Sequence, residues 1–135
     1  MATNEARQNV NYVSTRGEAP ALSFEDVLLT GLARDGGLTV PETYPRLDTD
    51  GLAGLPFDQL AARVIAPFTT GSIEADELAR LTASAYRDFG HPAVAPLVQI
   101  GPDRFVLELF HGPTLAFKDV AMRLLARLLD RALER

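Results

Sequence analysis

The run Glu108 to Asp119, Glu-Leu-Phe-His-Gly-Pro-Thr-Leu-Ala-Phe-Lys-Asp, holds Lys118, the only lysine in the chain. Apart from two histidines, every other basic side chain is an arginine. Lysine can do what arginine cannot: a guanidinium stays protonated, whereas an ammonium can lose its proton and attack a carbonyl carbon as a free amine. With an unperturbed pKa of about 10.4, only roughly one lysine in a few thousand is neutral at pH 7. A nucleophilic lysine therefore needs an apolar pocket or a nearby positive potential. Phe110, Leu115 and Phe117 offer apolar bulk, and the dipole at the front of a helix disfavours a cation by roughly 0.3–1 kcal/mol. Local physics leaves a second reading open, a solvated surface charge paired with Asp119. A third is an imine-forming enzyme that uses Lys118 without any cofactor.

The elements that would position this lysine lie on either side of it. Leu97 to Ile100 and Arg104 to Phe110 read as two strands joined by the turn Gly101-Pro102-Asp103. Asp119 to Arg135 reads as a helix. Arg123, Arg127, Asp130, Arg131 and Glu134 lie along its polar face, and Val120, Leu124, Leu125, Leu128 and Ala132 fill a wide apolar one. A helix that apolar should pack on a sheet, and a strand-loop-helix unit belongs to a layered α/β domain with its ligand at the strand's carboxyl end. Left uncovered, Leu124, Leu125 and Leu128 would drive self-association.

Upstream the pattern is helical. Residues 1–10 read as loose, and Tyr12 to Gly17 as a short extended segment ending in a turn. Ser23 begins a helix, with Asp26 at capping-box spacing. Phe24, Val27, Leu28, Gly31 and Leu32 share one face of it, Gly36-Gly37 stops it, and Leu38 to Pro41 leads away. Pro41 to Pro56 is a surface loop. Apolar residues at 57, 60, 61, 64, 65 and 68 mark a second helix that bends or ends near Pro67. A third follows Gly71-Ser72, with Glu74, Asp76 and Glu77 at its front, and Leu78, Leu81, Ala85 and Phe89 as its buried stripe. Gly90-His91-Pro92 ends it.

Composition bounds the function. The 135 residues suffice for one buried core. A formal net charge of −5 without an arginine cluster argues against a nucleic-acid surface. The absence of cysteine excludes disulfides and thiolate metal sites and fits a reducing compartment. Met1 to Asn11 lacks the apolar core of a signal peptide, and no apolar run is long enough to cross a bilayer. The expected location is cytoplasmic. His91 and His111 have no partners at ligand spacing, so no metal site is expected.

At three places the sequence resembles the threonine synthase family of pyridoxal-phosphate enzymes, of the tryptophan-synthase β fold type. The run 108–119 resembles the family's cofactor-lysine motif over its whole length. Tyr12-Val13-Ser14-Thr15-Arg16-Gly17 and Gly31-Leu32-Ala33-Arg34-Asp35-Gly36-Gly37-Leu38, with Pro41 behind, resemble its N-terminal signatures, in the right order and spacing. The resemblance implies an α/β fold (α+β in this piece). Residues 1–93 would form the helical N-terminal subdomain. Residues 94–135 would open the catalytic pyridoxal-phosphate domain, with a strand pair and its first strand-loop-helix. It implies conversion of O-phospho-L-homoserine and water to L-threonine and phosphate, with Lys118 holding pyridoxal phosphate as an internal aldimine. The freed amine would then carry protons at Cα and Cβ.

Phe117 and Asp119 match the residues that flank the family's lysine. Phe117 would be a wall that desolvates the amine, or simply core packing. His111 would contact cofactor or substrate, or be hydrogen-bonded within the turn. Thr114 would cap the helix or present its hydroxyl to the site, Gly112-Pro113 would shape the turn, and Asp119 would be a helix-start charge. The family's polypeptides are much longer, and their phosphate cradle, pyridine-nitrogen partner and most substrate-phosphate ligands lie beyond Arg135. Gly36-Gly37 is no substitute for that cradle. The resemblance thus implies an N-terminal portion, inactive alone, whose partner is the missing C-terminal part of the enzyme. The competing reading is a non-catalytic docking or dimer-contact module derived from that family.

Overall fold

The structure is a computed structural model and describes residues 9–134. For residues 1–8 the expectation of a loose terminus lies outside the described residues. Strand β1, Tyr12–Ser14, pairs antiparallel with β2, Thr39–Pro41, Val13 standing opposite Val40. Between them lies α1, Phe24–Thr30, whose capping box forms as its sequence implies. Asp26 N donates to Ser23 Oγ at 3.2 Å, and Ser23 N reaches Asp26 Oδ2 at 3.4 Å. The helix is shorter than its apolar spacing implies. It stops at Thr30 because Gly31 turns to φ +74, a conformation glycine adopts without steric cost. Gly31 and Leu32 are therefore not on a helical face, and Gly36-Gly37 does not end the helix. Leu38 to Pro41 does not lead away either: it turns back onto β1, Thr15 N donating to Leu38 O at 2.8 Å.

Helix α2, Phe57–Ile65, passes into a short 3-10 turn, Ala66–Phe68, that accommodates Pro67. Helix α3 spans Ala75–Tyr86. Strands β3, Leu97–Gly101, and β4, Arg104–Leu107, form an antiparallel hairpin with a register shift between Gln99 and Gly101. The second strand ends at Leu107, short of the expected Phe110, with one further hydrogen bond from Glu108 N to Pro96 O at 2.9 Å. Helix α4 covers Asp119–Leu133. The fold is thus mixed α/β, with four α-helices and two small antiparallel strand pairs among the described residues.

The core gathers Ile73, Leu78, Ala85, Tyr86, Val94, Leu124 and Leu128, with Leu28, Phe57, Ile65 and Phe89 packed against it. It joins residues from both sides of position 93. Helix α4 does not pack on a sheet. It lies against α3 and α1, while among the described residues the hairpin strands pair only with each other. This removes the stated ground for self-association, since Leu124 and Leu128 are buried and Leu125 is half-buried. Tyr86 ties the layers together: its ring meets Phe57 edge-on at 4.9 Å, and its hydroxyl donates to Val120 O at 3.1 Å.

Arg131 also departs from its expected place on a polar face. Only 7% of its side chain is exposed. The guanidinium pairs with Glu77 of α3 at 2.8 Å and with Glu25 of α1, and Nη2 donates to Ser72 O at 2.7 Å. Its hydrogen bond to Glu77 is the largest influence on it, and with that to Glu25 it outweighs desolvation and raises its pKa further. Among the described residues no helix is long and apolar enough to cross a membrane.

Candidate functional site

The loop between β4 and α4 presents Lys118. This residue occupies the N-cap position of α4 with helical backbone angles, φ −63 and ψ −23, and no side chain caps the helix. The cap expected of Thr114 is therefore not formed. The Lys118 carbonyl accepts from Met122 N at 2.8 Å, so its backbone is already committed to the helix. Among the described residues its Nζ has no hydrogen-bond or ion-pair partner, and the pairing with Asp119 that a surface-charge reading implies is not made.

Asp119 is occupied elsewhere. It is only 6% exposed, and both carboxylate oxygens turn back along the chain. Thr114 N donates to Oδ2 and Thr114 Oγ1 donates to Oδ1, each at 2.8 Å. The approach is close enough that Gly112 has to be glycine, since an added Cβ would lie 2.4 Å from both Asp119 Cβ and Oδ2. Within the same turn Leu115 is held at φ +61, an uncommon conformation for a branched side chain. Leu115 N donates to Gly112 O at 3.0 Å and Asp119 N to Ala116 O at 3.0 Å, closing the turn.

His111 sits one residue ahead of that turn with 20% of its side chain exposed. Its Nε2 lies 2.7 Å from Glu108 Oε2. An ionised carboxylate only accepts, so Nε2 carries the proton. The ring packs beside Phe110 and His91, with centroids 4.7 and 5.1 Å apart. His91 Nδ1 in turn accepts from Ala93 N at 3.1 Å. The Glu-x-x-His spacing is a local signal for this pair that sequence reasoning passed over. Among the described residues no cluster of metal-binding side chains is assembled.

Among the described residues no apolar pocket encloses the amine. Phe117 is 66% exposed and Leu115 73%, and Phe110 is also exposed. Chemically, the site offers an unpaired primary amine on a braced turn, bordered in sequence by apolar side chains. Such an amine can form an imine with an aldehyde or ketone.

The two N-terminal signatures, far from Lys118 in the chain, form a single knot. Ser14 Oγ donates to Asp35 Oδ1 at 2.7 Å, Gly37 N donates to the same oxygen at 2.9 Å, and Glu18 N donates to Oδ2 at 3.1 Å. Arg16 Nη1 donates to Asp35 O at 2.8 Å. The hydroxyl of Ser14 first, then the Gly37 N–H, hold the Asp35 carboxyl below its ordinary pKa. Gly36 N donates to Ala33 O at 2.8 Å. With both glycine N–H groups engaged, this turn has none to offer an anion.

Residues 11–86 match the family model described as threonine synthase N terminus. The threonine synthase of Pseudomonas aeruginosa is 56% identical over 127 residues, covering 92% of this chain and 27% of that protein. Among solved structures, the PLP-bound threonine synthase of Brucella melitensis superposes with a TM-score of 0.88 at 54% identity, over 93% of this chain and 28% of that one. Yeast threonine synthase gives 0.82 at 39% identity, over 93% and 26%. The chain thus spans about a quarter of the length of the relatives it matches.

Proposed function

The chain belongs to the threonine synthase N-terminal family, and from that premise we propose that it is the N-terminal part of an enzyme converting O-phospho-L-homoserine and water to L-threonine and phosphate. The observation that carries the proposal is the unpaired amine of Lys118, the chain's only lysine, on a turn braced by its neighbour. The name and bound cofactor of the Brucella protein support pyridoxal phosphate as the partner of that amine. In this reading residues 1–93 are the helical subdomain, and residues 94–135 open the catalytic domain.

The described residues fit one end of that cofactor. Lys118 Nζ suits its aldehyde, and Phe110, Leu115 and Phe117 suit its ring face. The engaged N–H groups of Gly36-Gly37 do not suit its phosphate, which would be held by residues beyond this chain. When bound, the cofactor supplies an electron sink for charge that builds on Cα and Cβ of the substrate. Lys118 Nζ would be the proton carrier: it would take protons from Cα and Cβ as the Cγ–O bond breaks and phosphate leaves, take one from the water whose oxygen bonds to Cβ, and deliver protons to the departing phosphate, to Cγ and back to Cα. Phe117, solvent-exposed in this chain, becomes the wall that keeps water from the amine once the rest of the enzyme closes on it. His111, oriented by Glu108, borders the substrate side, while the Thr114 hydroxyl is spent on Asp119.

The test uses the full-length enzyme loaded with pyridoxal phosphate. Borohydride reduction followed by peptide mapping should leave the label on Lys118, and Lys118→Ala should abolish phosphate release. The 135-residue chain alone should release none. A label on another residue, or turnover surviving Lys118→Ala, overturns the assignment.

A further inference from the structure

We propose that Asp119 and Thr114 form a clamp with two duties: it fixes the backbone from which Lys118 projects, and it ties the carboxylate that follows Lys118 in sequence to Thr114 rather than to the amine. The inference rests on the reading of Lys118 as the cofactor-bearing amine.

The geometry of the clamp is a closed ring. The chain leaves Thr114, passes through Lys118 and reaches Asp119, whose carboxylate returns to Thr114 N and Thr114 Oγ1 at 2.8 Å each. Two hydrogen bonds to an ionised acceptor are stronger than a neutral pair and fix direction as well as distance. The anchoring residue is the buried one: Asp119 is 6% exposed, whereas Thr114, Phe117 and Lys118 face solvent. The turn tolerates a left-handed Leu115 and requires a glycine at 112, both signs that its conformation is over-determined. A carboxylate that merely neutralised a helix start would need neither.

The second duty follows from where the charge goes. A carboxylate beside an ammonium favours the protonated amine, the form that cannot attack a carbonyl. Asp119 follows Lys118 directly, yet both of its oxygens are taken by Thr114. The other charged groups around this turn are also engaged, His111 with Glu108 and Arg123 with Asp88. His91 lies tilted against His111 and takes the Ala93 N–H. Thr114 therefore works through Asp119 on Lys118: both are positioning residues.

The test follows attachment of pyridoxal phosphate to apo full-length enzyme by the absorbance of the lysine-bound coenzyme, from about pH 6 to 9. Thr114→Val keeps the shape and the N–H but leaves one Asp119 oxygen without its donor. Attachment at neutral pH should slow by about tenfold, and the rate-against-pH profile should move to higher pH. Thr114→Ser should restore both. Asp119→Ala removes the brace and the charge together. It should speed amide hydrogen exchange at Thr114 and lower kcat by roughly 10–100-fold with KM little changed. An unshifted profile in Thr114→Val, or a loss that Thr114→Ser fails to rescue, overturns the clamp. Reduction of wild-type enzyme that labels a residue other than Lys118 overturns the functional reading instead, so the two failures are distinct.

Discussion

Ser14 donates its hydroxyl to the Asp35 carboxylate at 2.7 Å across a sequence separation of 21 residues. This contact joins the end of β1 to the turn before β2, so two sequence signatures form one structural unit. The carboxyl of Asp35 is held below its ordinary pKa by that hydroxyl and by Gly37 N–H. A depressed native pKa stabilises the fold fully above the unfolded value of about 3.9, and the contribution is lost as pH falls through the lower native value. Asp35→Asn should therefore melt below the wild-type chain at neutral pH, and the gap should narrow in strong acid. Thermal unfolding across that range measures it; a gap that stays constant with pH contradicts the linkage.

Gly112 and Gly90 should answer differently to the same substitution. A methyl at 112 would lie 2.4 Å from Asp119 Cβ and Oδ2, and neither can retreat without breaking the bonds to Thr114. At 90 it would meet His111 O at 3.6 Å, an ordinary contact. Gly112→Ala should cost about 1–3 kcal/mol, and Gly90→Ala no more than about 0.5 kcal/mol. Denaturant midpoints distinguish them, and equal effects would mean that the turn gives way more easily than its packing implies.

These sites show what a reader of the sequence can and cannot reach. The period of apolar residues marks α2, α3 and α4 because it is a local property of the chain, and the Ser23–Asp26 box marks the start of α1 for the same reason. Lys118 stands out because it is the only lysine, although its role came from resemblance. Arg131 sits at a polar position by period and is buried, because its partner Glu25 lies 106 residues away. Strand β2 is three residues long, and only its distant partner β1 makes it a strand. The Thr114–Asp119 clamp spans five residues, a spacing that matches neither a capping box nor a helical turn.

Arg131 gives the largest stability effect expected outside the site. Arg131→Met keeps the volume and leaves Glu25 and Glu77 facing each other across the junction of α1, α3 and α4. Removing one partner of a buried ion pair costs about 3–5 kcal/mol. Here the acids keep 31% and 28% exposure, which screens them and lowers the expected cost to about 2–3 kcal/mol. Adding Glu77→Gln to Arg131→Met should recover part of the loss. Urea unfolding with an unchanged slope tests this; a Met variant as stable as Arg would make the network dispensable.

The β3–β4 hairpin should be less protected than helix α3 when the chain stands alone. Leu97, Phe105 and Leu107 project from one face and Val98 and Val106 from the other, by the register of the pair. All five are exposed, Leu97 by 64% and Phe105 by 56%. A strand apolar on both faces is patterned for burial on both sides, and an isolated two-stranded hairpin is marginal in water. Helix α3, with Leu78 and Ala85 each 1% exposed, opens only with the core. Amide hydrogen exchange should therefore run faster across β3–β4 than across α3 in the 135-residue chain. If the remainder of the proposed enzyme covers both faces, the difference should shrink there. Hairpin amides exchanging as slowly as those of α3 in the chain alone would mean that the two strands carry their own stability.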